Sequence, residues 1–583
     1  MADVDHATSS MPDKNHPTAV KRTELVAWLF VSGLLVVYVV LFAAAPARFS
    51  LWSPYTPAVD EMVQLYQGGR NFAQRGFTVD WLLPDLSTSA SPLYYPHLYN
   101  HQPPGPQLAI GILMRLFGEN YWLIRSAFAT MFFIGLVCYV LVARTIVARA
   151  ALGGQLALFV IAPVTILRLM DHPVYSLFPL CAFFPLLALH RYHESGKRVW
   201  LVAAAGVVFV ASNYLIYGPL IMILVWWALG VGLRLIPMRR RELLLACGLV
   251  AAGVFLHLLQ TVLVVGWSMF AKEIWFTLSN RATGFPTHEA LRALYERLGF
   301  VLFGGHVFSP ERFKHALWLA FWFPGRLVVA GVFGALVLVS LGVEAWSPRE
   351  RRGHVFRDLV QWAANVTKIG LWTGAAIIVP LMMFPAYASD YGLYGTSEFL
   401  LAIFVAFAVG IAFRFIRNAS YPGWTQRVLF ALLMIAMLWI VNVQARSFAT
   451  LARGTGEWMM QSPAEEGFAW IAEHLRGEVV MTNVDPIVVG FFTRESAYGG
   501  CHRESLPLNG PEAERCFVRS FRTNRAAGLP IPRAFVWYGF GQAFCRGDDC
   551  IALEEIAQRY PTLFETKRMA VFDVTQTERQ SVR

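Results

Sequence analysis

The chain has 583 residues, 56% of them hydrophobic and 15% charged, and its mean hydropathy of +0.48 lies outside the range of soluble globular proteins. This composition excludes a cytosolic enzyme, and an aromatic share of 14% excludes disorder and collagen-like structure, neither of which uses so much bulky apolar surface. The formal net charge of +11 comes from short basic clusters between apolar runs, so it reports topology, and nucleic acid is a poor partner for it.

A polar stretch at 1–24 precedes an apolar run at 25–46, which follows Lys21 and Arg22 and outlasts the apolar segment of a cleaved signal; it reads as a retained anchor. Further stretches long enough to span a bilayer lie near 121–143, 153–170, 174–190, 199–216, 219–235, 243–268, 317–344, 366–386, 394–413 and 428–446. The expected fold class is an α-helical polytopic membrane protein with eleven transmembrane helices, followed by a small extracytoplasmic α/β domain at 447–583.

Eleven spans place the termini on opposite sides of the membrane. Connections 144–152, 191–198, 234–242, 345–368 and 414–427 carry 2, 3, 4, 5 and 3 basic residues, whereas those near 171–173, 216–219 and 387–393 carry no Lys or Arg. By the positive-inside rule the N-terminus is cytoplasmic, and the loops 47–120 and 269–316 lie outside together with the tail. Composition points to a bacterial inner (plasma) membrane and a periplasmic tail. Within the tail, a helix-like run from Pro463 to Leu475 precedes strand-like runs at Glu478–Thr482, Ala534–Trp537 and Ala570–Val574. Cys501, Cys516, Cys545 and Cys550 are an even set in an outer compartment and read as two disulfides, while Cys138, Cys181 and Cys247 read as small buried hydrophobes in spans.

The first outer loop holds the residues that suggest chemistry. Asp60 and Glu61 precede apolar and aromatic residues at Met62, Leu65, Tyr66 and Phe72, a spacing that predicts a helix lying along the interface and ending near Gly76. Helix capping alone would account for one acidic residue there. Then come His101, Gln102, Pro103, Pro104 and Gly105, an amphipathic run from Pro106 to Phe117, Gly118, and Arg125 at the mouth of the next span. The prolines predict an extended approach and a helix start.

Together these residues resemble the GT-C superfamily of membrane glycosyltransferases, in the branch of the protein O-mannosyltransferases and lipid A aminoarabinose transferases. The resemblance covers residues 55–130. It rests on Asp60, Glu61, Gly76, His101, Pro103, Pro104, Phe117, Gly118 and Arg125, and departs at Gly105, where Leu is usual. It implies an Asp at position 60 that acts as general base, and a basic residue near the Pro-Pro pair that faces the phosphate of a polyprenyl-phosphate sugar.

Chemistry asks for the same groups. A hydroxyl attacking an anomeric carbon must lose its proton to a carboxylate, for which Asp60 is the candidate with Glu61 beside it. The departing lipid phosphate needs cations, for which His101, Arg125 and Arg281 are candidates. Asp171 and His172, in a nearly charge-free outer connection, read either as a cap or as part of the site, and Asp390 and Tyr394 as a sugar pocket or belt anchors. Asp60, Glu61, Asp171 and His172 also offer oxygen and nitrogen ligands for a divalent metal, which stays open. His257 and Gln260 read as interhelical polar residues.

The leading expectation is an integral membrane glycosyltransferase. It takes sugar from a polyprenyl-phosphate donor, with no nucleotide needed outside and a divalent metal left open, and passes it with inversion to a glycan, lipid or protein acceptor outside. The alternatives are a secondary transporter or flippase, for which the spans hold few charges, and a catalytically silent assembly subunit of the same fold. The residues set neither the sugar nor the oligomeric state.

Overall fold

A computed structural model describes residues 59–78, 81–86, 103–146, 172–268, 354–383, 391–418, 423–433, 461–482, 486–499, 532–538, 560–566 and 569–575, with scattered positions between. The first helix, α1 (Val59–Arg75), buries Met62, Val63, Leu65, Tyr66 and Phe72 on its apolar stripe. Gly76, at φ +101°, ends it with its amide donating to the Phe72 carbonyl at 3.0 Å, in a conformation that favours glycine. Helix α2 (Gly105–Phe117) starts on Pro104 and Pro106, as the Pro-rich approach predicts, and stops at Gly118 with φ +67°.

These two loop helices cross on glycines. A Cβ added at Gly69 would lie 2.4 Å from Ile110 Cγ2, and one added at Gly111 would lie 2.8 Å from Phe72 Cβ. The backbones therefore approach more closely than any side chain would allow.

Next come α3 (Tyr121–Ile146), a single turn Pro173–Ser176, α4 (Phe178–Ser195), α5 (Arg198–Tyr214), α6 (Tyr217–Gly232), α7 (Arg240–Val265), α8 (His354–Met383) and α9 (Tyr391–Asn418). Among the described residues, Tyr121–Ala143, Pro173–Ser195 and Arg240–Val265 are long and apolar enough to cross a membrane, and α5, α6 and Thr396–Ala412 are shorter apolar helices. The chain is an integral membrane protein. The spans expected at 25–46 and through most of 153–170 and 317–344 lie outside the described residues. Aromatic packing fills the interior. Trp226 stacks on Trp372 at 4.2 Å, Phe183 meets Trp226 edge-on at 5.6 Å, and the Trp227 indole donates to the Ala182 carbonyl at 3.1 Å. Cys138 and Cys181 are buried as expected, but Cys247 is exposed. Since α7 is apolar all round, its sequence does not show which face meets the protein.

The tail contributes α10 (Gln461–His474), β1 (Val479–Thr482), α11 (Pro486–Thr493), β2 (Ser496–Gly499), β3 (Ala534–Tyr538), β4 (Thr562–Glu565) and β5 (Met569–Asp573). The strands form one sheet in the order β2-β1-β3-β5-β4, with β1 parallel to β2 and β3, and β5 antiparallel to β3 and β4. Alternate residues feed two cores. Val480, Ala534, Val536 and Val571 pack with Phe468 and Ile471 of α10, and Met481, Phe535, Ala570 and Phe572 pack on the other face. Ile487 and Phe491 of α11 belong instead to the large core that contains Met62, Leu65 and Tyr66, so this helix joins the tail to α1.

Candidate active site

Asp60 and Glu61 occupy the second and third positions of α1, whose N-terminal amides favour negative charge. Gln67, Arg70 and Asn71 form a polar stripe further along the same helix. Arg70 is 4% exposed, and its guanidinium has partners on α1, α3 and α11 and in the turn before α3. Its Nη1 donates to Gln67 Oε1 at 3.2 Å and to the Phe491 carbonyl at 3.1 Å, and its Nη2 donates to Glu119 Oε2 at 3.2 Å and to the Tyr121 hydroxyl at 2.8 Å. The same guanidinium lies 3.9 Å above the centre of the Phe491 ring. Glu119 also receives Arg494 Nη2 of the tail at 2.6 Å, so one carboxylate answers two guanidiniums. This network fixes α1 between the mouth of α3 and the tail. At the far end of α1, Arg75 pairs with buried Asp85, and Asn71 donates to the Asp85 carbonyl at 2.6 Å.

A second convergence lies at the C-terminal end of α5. The Tyr214 hydroxyl donates to the Pro173 carbonyl at 2.7 Å. His172, buried and extended, lies with its ring tilted 45° against that of Tyr175 at 4.7 Å and caps the turn that follows by accepting the amides of Tyr175 and Ser176 through its carbonyl. Gly105 abuts the same segment, where an added Cβ would sit 2.5 Å from the Asn213 carbonyl and 2.7 Å from Tyr214 Cα. The departure from Leu at position 105 thus has a local cause: only a residue without Cβ lets α2 begin against this backbone. Through residues 213 and 214, the Pro-Pro end of the first loop and the His172 connection are brought together.

Arg125 is buried one turn along α3 from Tyr121. Tyr394 lies in the first turn of α9. One turn deeper, half-buried Glu398 accepts the Thr165 hydroxyl at 2.6 Å, beside buried Thr396 and Ser397. His101, Asp171, Arg281, Asp390, Cys501, Cys516, Cys545 and Cys550 lie outside the described residues. Among the described residues, no three His, Cys, Asp or Glu side chains converge as a metal site would need.

Two tail carboxylates are shifted. Burial pushes Glu495 above the usual glutamate value, against the opposing pull of the Gly477 amide that donates to it at 2.8 Å. For Asp573 burial acts in the same upward sense, but the hydroxyl and amide of Thr575 and nearby Arg533 outweigh it and hold the carboxyl low.

Sequence reasoning placed α1, α2 and their glycine ends, but not Arg70, Glu119, Tyr121 or Arg494 as a unit. The available signal was the spacing of Gln67, Arg70 and Asn71, polar residues three and four apart on an otherwise apolar helix.

No family model and no curated protein matches the sequence. Solved structures do. ArnT from Cupriavidus metallidurans in the apo state is similar with a TM-score of 0.50 at 16% identity, over 95% of this chain and 98% of that one. The fold is that of ArnT. The structure of ArnT bound to undecaprenyl phosphate gives a TM-score of 0.49 at 15% identity over 93% and 97% of the two chains. The likeness in fold covers nearly the whole chain.

Proposed function

We propose that the chain is a membrane glycosyltransferase that moves a sugar from a polyprenyl-phosphate donor to an acceptor on the outer face, with Asp60 as the general base. The observation that carries this reading is the first loop. In a chain with the ArnT fold, its two helices cross on glycines so that the carboxylate-bearing start of α1 is held on a rigid platform with the Pro-Pro end of α2. Rigid placement suits displacement chemistry, in which positioning supplies much of the rate.

Each residue then has one task. Asp60 takes the acceptor's proton as its oxygen attacks the anomeric carbon, and Glu61 keeps the site anionic. His101 and Arg125 stabilise the charge that grows on the leaving phosphate, with Arg281 as a further candidate. Arg70 does not enter the reaction in this scheme, because its Nη1 and Nη2 donors are taken up by Gln67, Glu119, Tyr121 and the Phe491 carbonyl. Donor, acceptor and tail share the outer side, and the four tail cysteines pair as two disulfides.

The test is donor turnover by the purified full chain in nanodiscs supplied with radiolabelled polyprenyl-phosphate sugars. Asp60→Asn keeps the shape and removes the base, so transfer is expected to fall by a factor on the order of 100 to 10,000 while the protein stays folded. Wild-type turnover in that variant would refute the assignment.

A further inference from the structure

The loop between α1 and α2 contains a turn that the catalytic scheme leaves unused. Trp81 and Leu82 follow one another at φ +51° and +66°, in the left-handed region that bulky side chains avoid. Both side chains point away from the protein, with 68% and 43% of their surface exposed. The turn is nevertheless tightly held. The Trp81 amide donates to the Thr78 carbonyl at 3.3 Å, and Leu83 and Leu86 are buried immediately afterwards. Asp85 is fixed by Arg75 and Asn71, and the Trp81 carbonyl accepts the Gln260 side chain of α7. A backbone constrained on both sides to present two large apolar residues outward is a feature in search of an apolar partner.

The position on α7 says which partner. Only 22% of the most apolar window of this helix is buried inside the protein, which leaves an apolar surface suited to the bilayer. Its protein-facing stripe holds Ala246, Val250, Gly253, His257 and Thr261. Gln260 stands at the border of the opposite surface, three or four residues and then seven from the exposed Leu256, Leu263 and Trp267. Gln260 is five residues before the end of α7, which places the Trp81 carbonyl about 8 Å inside that end at 1.5 Å per residue. At that depth a bare carbonyl would lack a donor, and the Gln260 amide supplies one. The surrounding end of α7 is the one remote from Arg239, Arg240 and Arg241, and is the outer end if basic connections face the cytoplasm.

We propose that the Trp81–Leu82 turn is a membrane anchor that inserts among the phospholipid chains of the outer leaflet, beside the lipid-facing surface of α7. Trp81 supplies the interfacial aromatic ring and Leu82 the deeper aliphatic contact. The partner is the lipid leaflet, and no substrate is required. The anchor ties the depth of the α1–α2 loop to the bilayer.

The test uses the full chain in phosphatidylethanolamine and phosphatidylglycerol nanodiscs, with the photoreactive residue p-benzoylphenylalanine placed singly at position 81 and, in a second protein, at position 82. Position 263 on the exposed surface of α7 is the lipid-facing reference, and position 473, exposed in the tail, is the water-facing one. After irradiation, intact-mass analysis is expected to show a one-phospholipid adduct at 81 and 82 within about threefold of the yield at 263. Yields at both positions no greater than at 473, or crosslinks from them into the protein itself, would overturn the proposal. Because no donor or acceptor is added, the outcome is separate from that of the glycosyltransferase reading.

Discussion

Replacing Gly69 by Ala adds one methyl group at the point where α1 and α2 touch. The new carbon would lie 2.4 Å from Ile110 Cγ2, 2.7 Å from Ile110 Cβ and 3.2 Å from the Gln107 carbonyl. Carbon pairs rest at about 3.5–4.0 Å, so the shortfall at the first contact is about 1 Å or more. Ile110 is fully buried, and its branched Cβ fixes its rotamer, so the side chain has nowhere to swing. The helices must separate or slide by about that amount, at a cost of about 1–3 kcal/mol for an overpacked contact. Displacing the α1 platform by about 1 Å is expected to reduce turnover by about 100-fold. Gly206→Ala is the control. It lies inside α5 with open space around its missing Cβ, and it should be neutral or stabilise by about 1 kcal/mol through helix propensity. Donor turnover and the thermal midpoint in nanodiscs would be measured side by side. If Gly69→Ala matches Gly206→Ala in both, the tight crossing does not position the site.

Arg70→Ala removes four hydrogen bonds from a buried guanidinium and should destabilise by about 2–4 kcal/mol. Arg70→Lys should recover little because an ammonium cannot reproduce the fork, whereas exposed Arg494→Ala should cost only about 0–1 kcal/mol; thermal midpoints of the three proteins check this ordering. Gly105→Leu, which restores the residue usual in the resembled family, would drive a side chain into the backbone of residues 213 and 214 and should destabilise by about 1–3 kcal/mol, read by the same midpoint and by turnover. The tail carboxylates should respond to pH in opposite senses. Asp573 has a lowered folded-state value, so its stabilisation is present above the ordinary 3.8 and is lost as pH falls through the folded value; Asp573→Asn should weaken the tail at neutral pH and lose its effect in strong acid. Glu495 has a raised value, so its contribution is full below the ordinary 4.5 and is lost as pH rises through the folded value. Glu495→Gln keeps an acceptor for the Gly477 amide and should therefore stabilise at neutral pH, with the gain vanishing toward the acid side; melting followed across pH tests both.

Local chemistry made the loop helices legible. Pro103, Pro104 and Pro106 favour the approach and first turn of a helix, and Gly76 and Gly118 end helices because the chain there needs positive φ. The same grammar failed at Trp81 and Leu82, where neither glycine nor asparagine announces a left-handed turn, and the backbone is held by contacts from α1 and α7. The strand-like runs at Glu478–Thr482, Ala534–Trp537 and Ala570–Val574 correspond to β1, β3 and β5, since buried strands read as short apolar runs. Their order in the sheet did not follow from the sequence, because β1 pairs in parallel with both β2 and β3 through connections whose length says nothing of side. Arg70 was visible as a polar residue on an apolar helix, yet its partner Phe491 stands 421 residues away, and no spacing rule reaches that far. The exposure of Cys247 was hidden for another reason: in a bilayer both faces of a helix are apolar, so the pattern that separates core from surface in water disappears.

The separation of 421 positions from Arg70 to Phe491 also sets a schedule. At about 5–20 residues per second a ribosome needs about 20–80 s to make α11 after α1 has emerged. For that interval a buried arginine lacks the ring and carbonyl that complete its surroundings, and α1 has no lid from the tail. A half-made chain in the membrane therefore carries the first-loop residues without the clamp that orders them. The contacts that hold α1 against the tail form only late in translation, so a copy terminated before α11 lacks the Phe491 ring and carbonyl that surround Arg70.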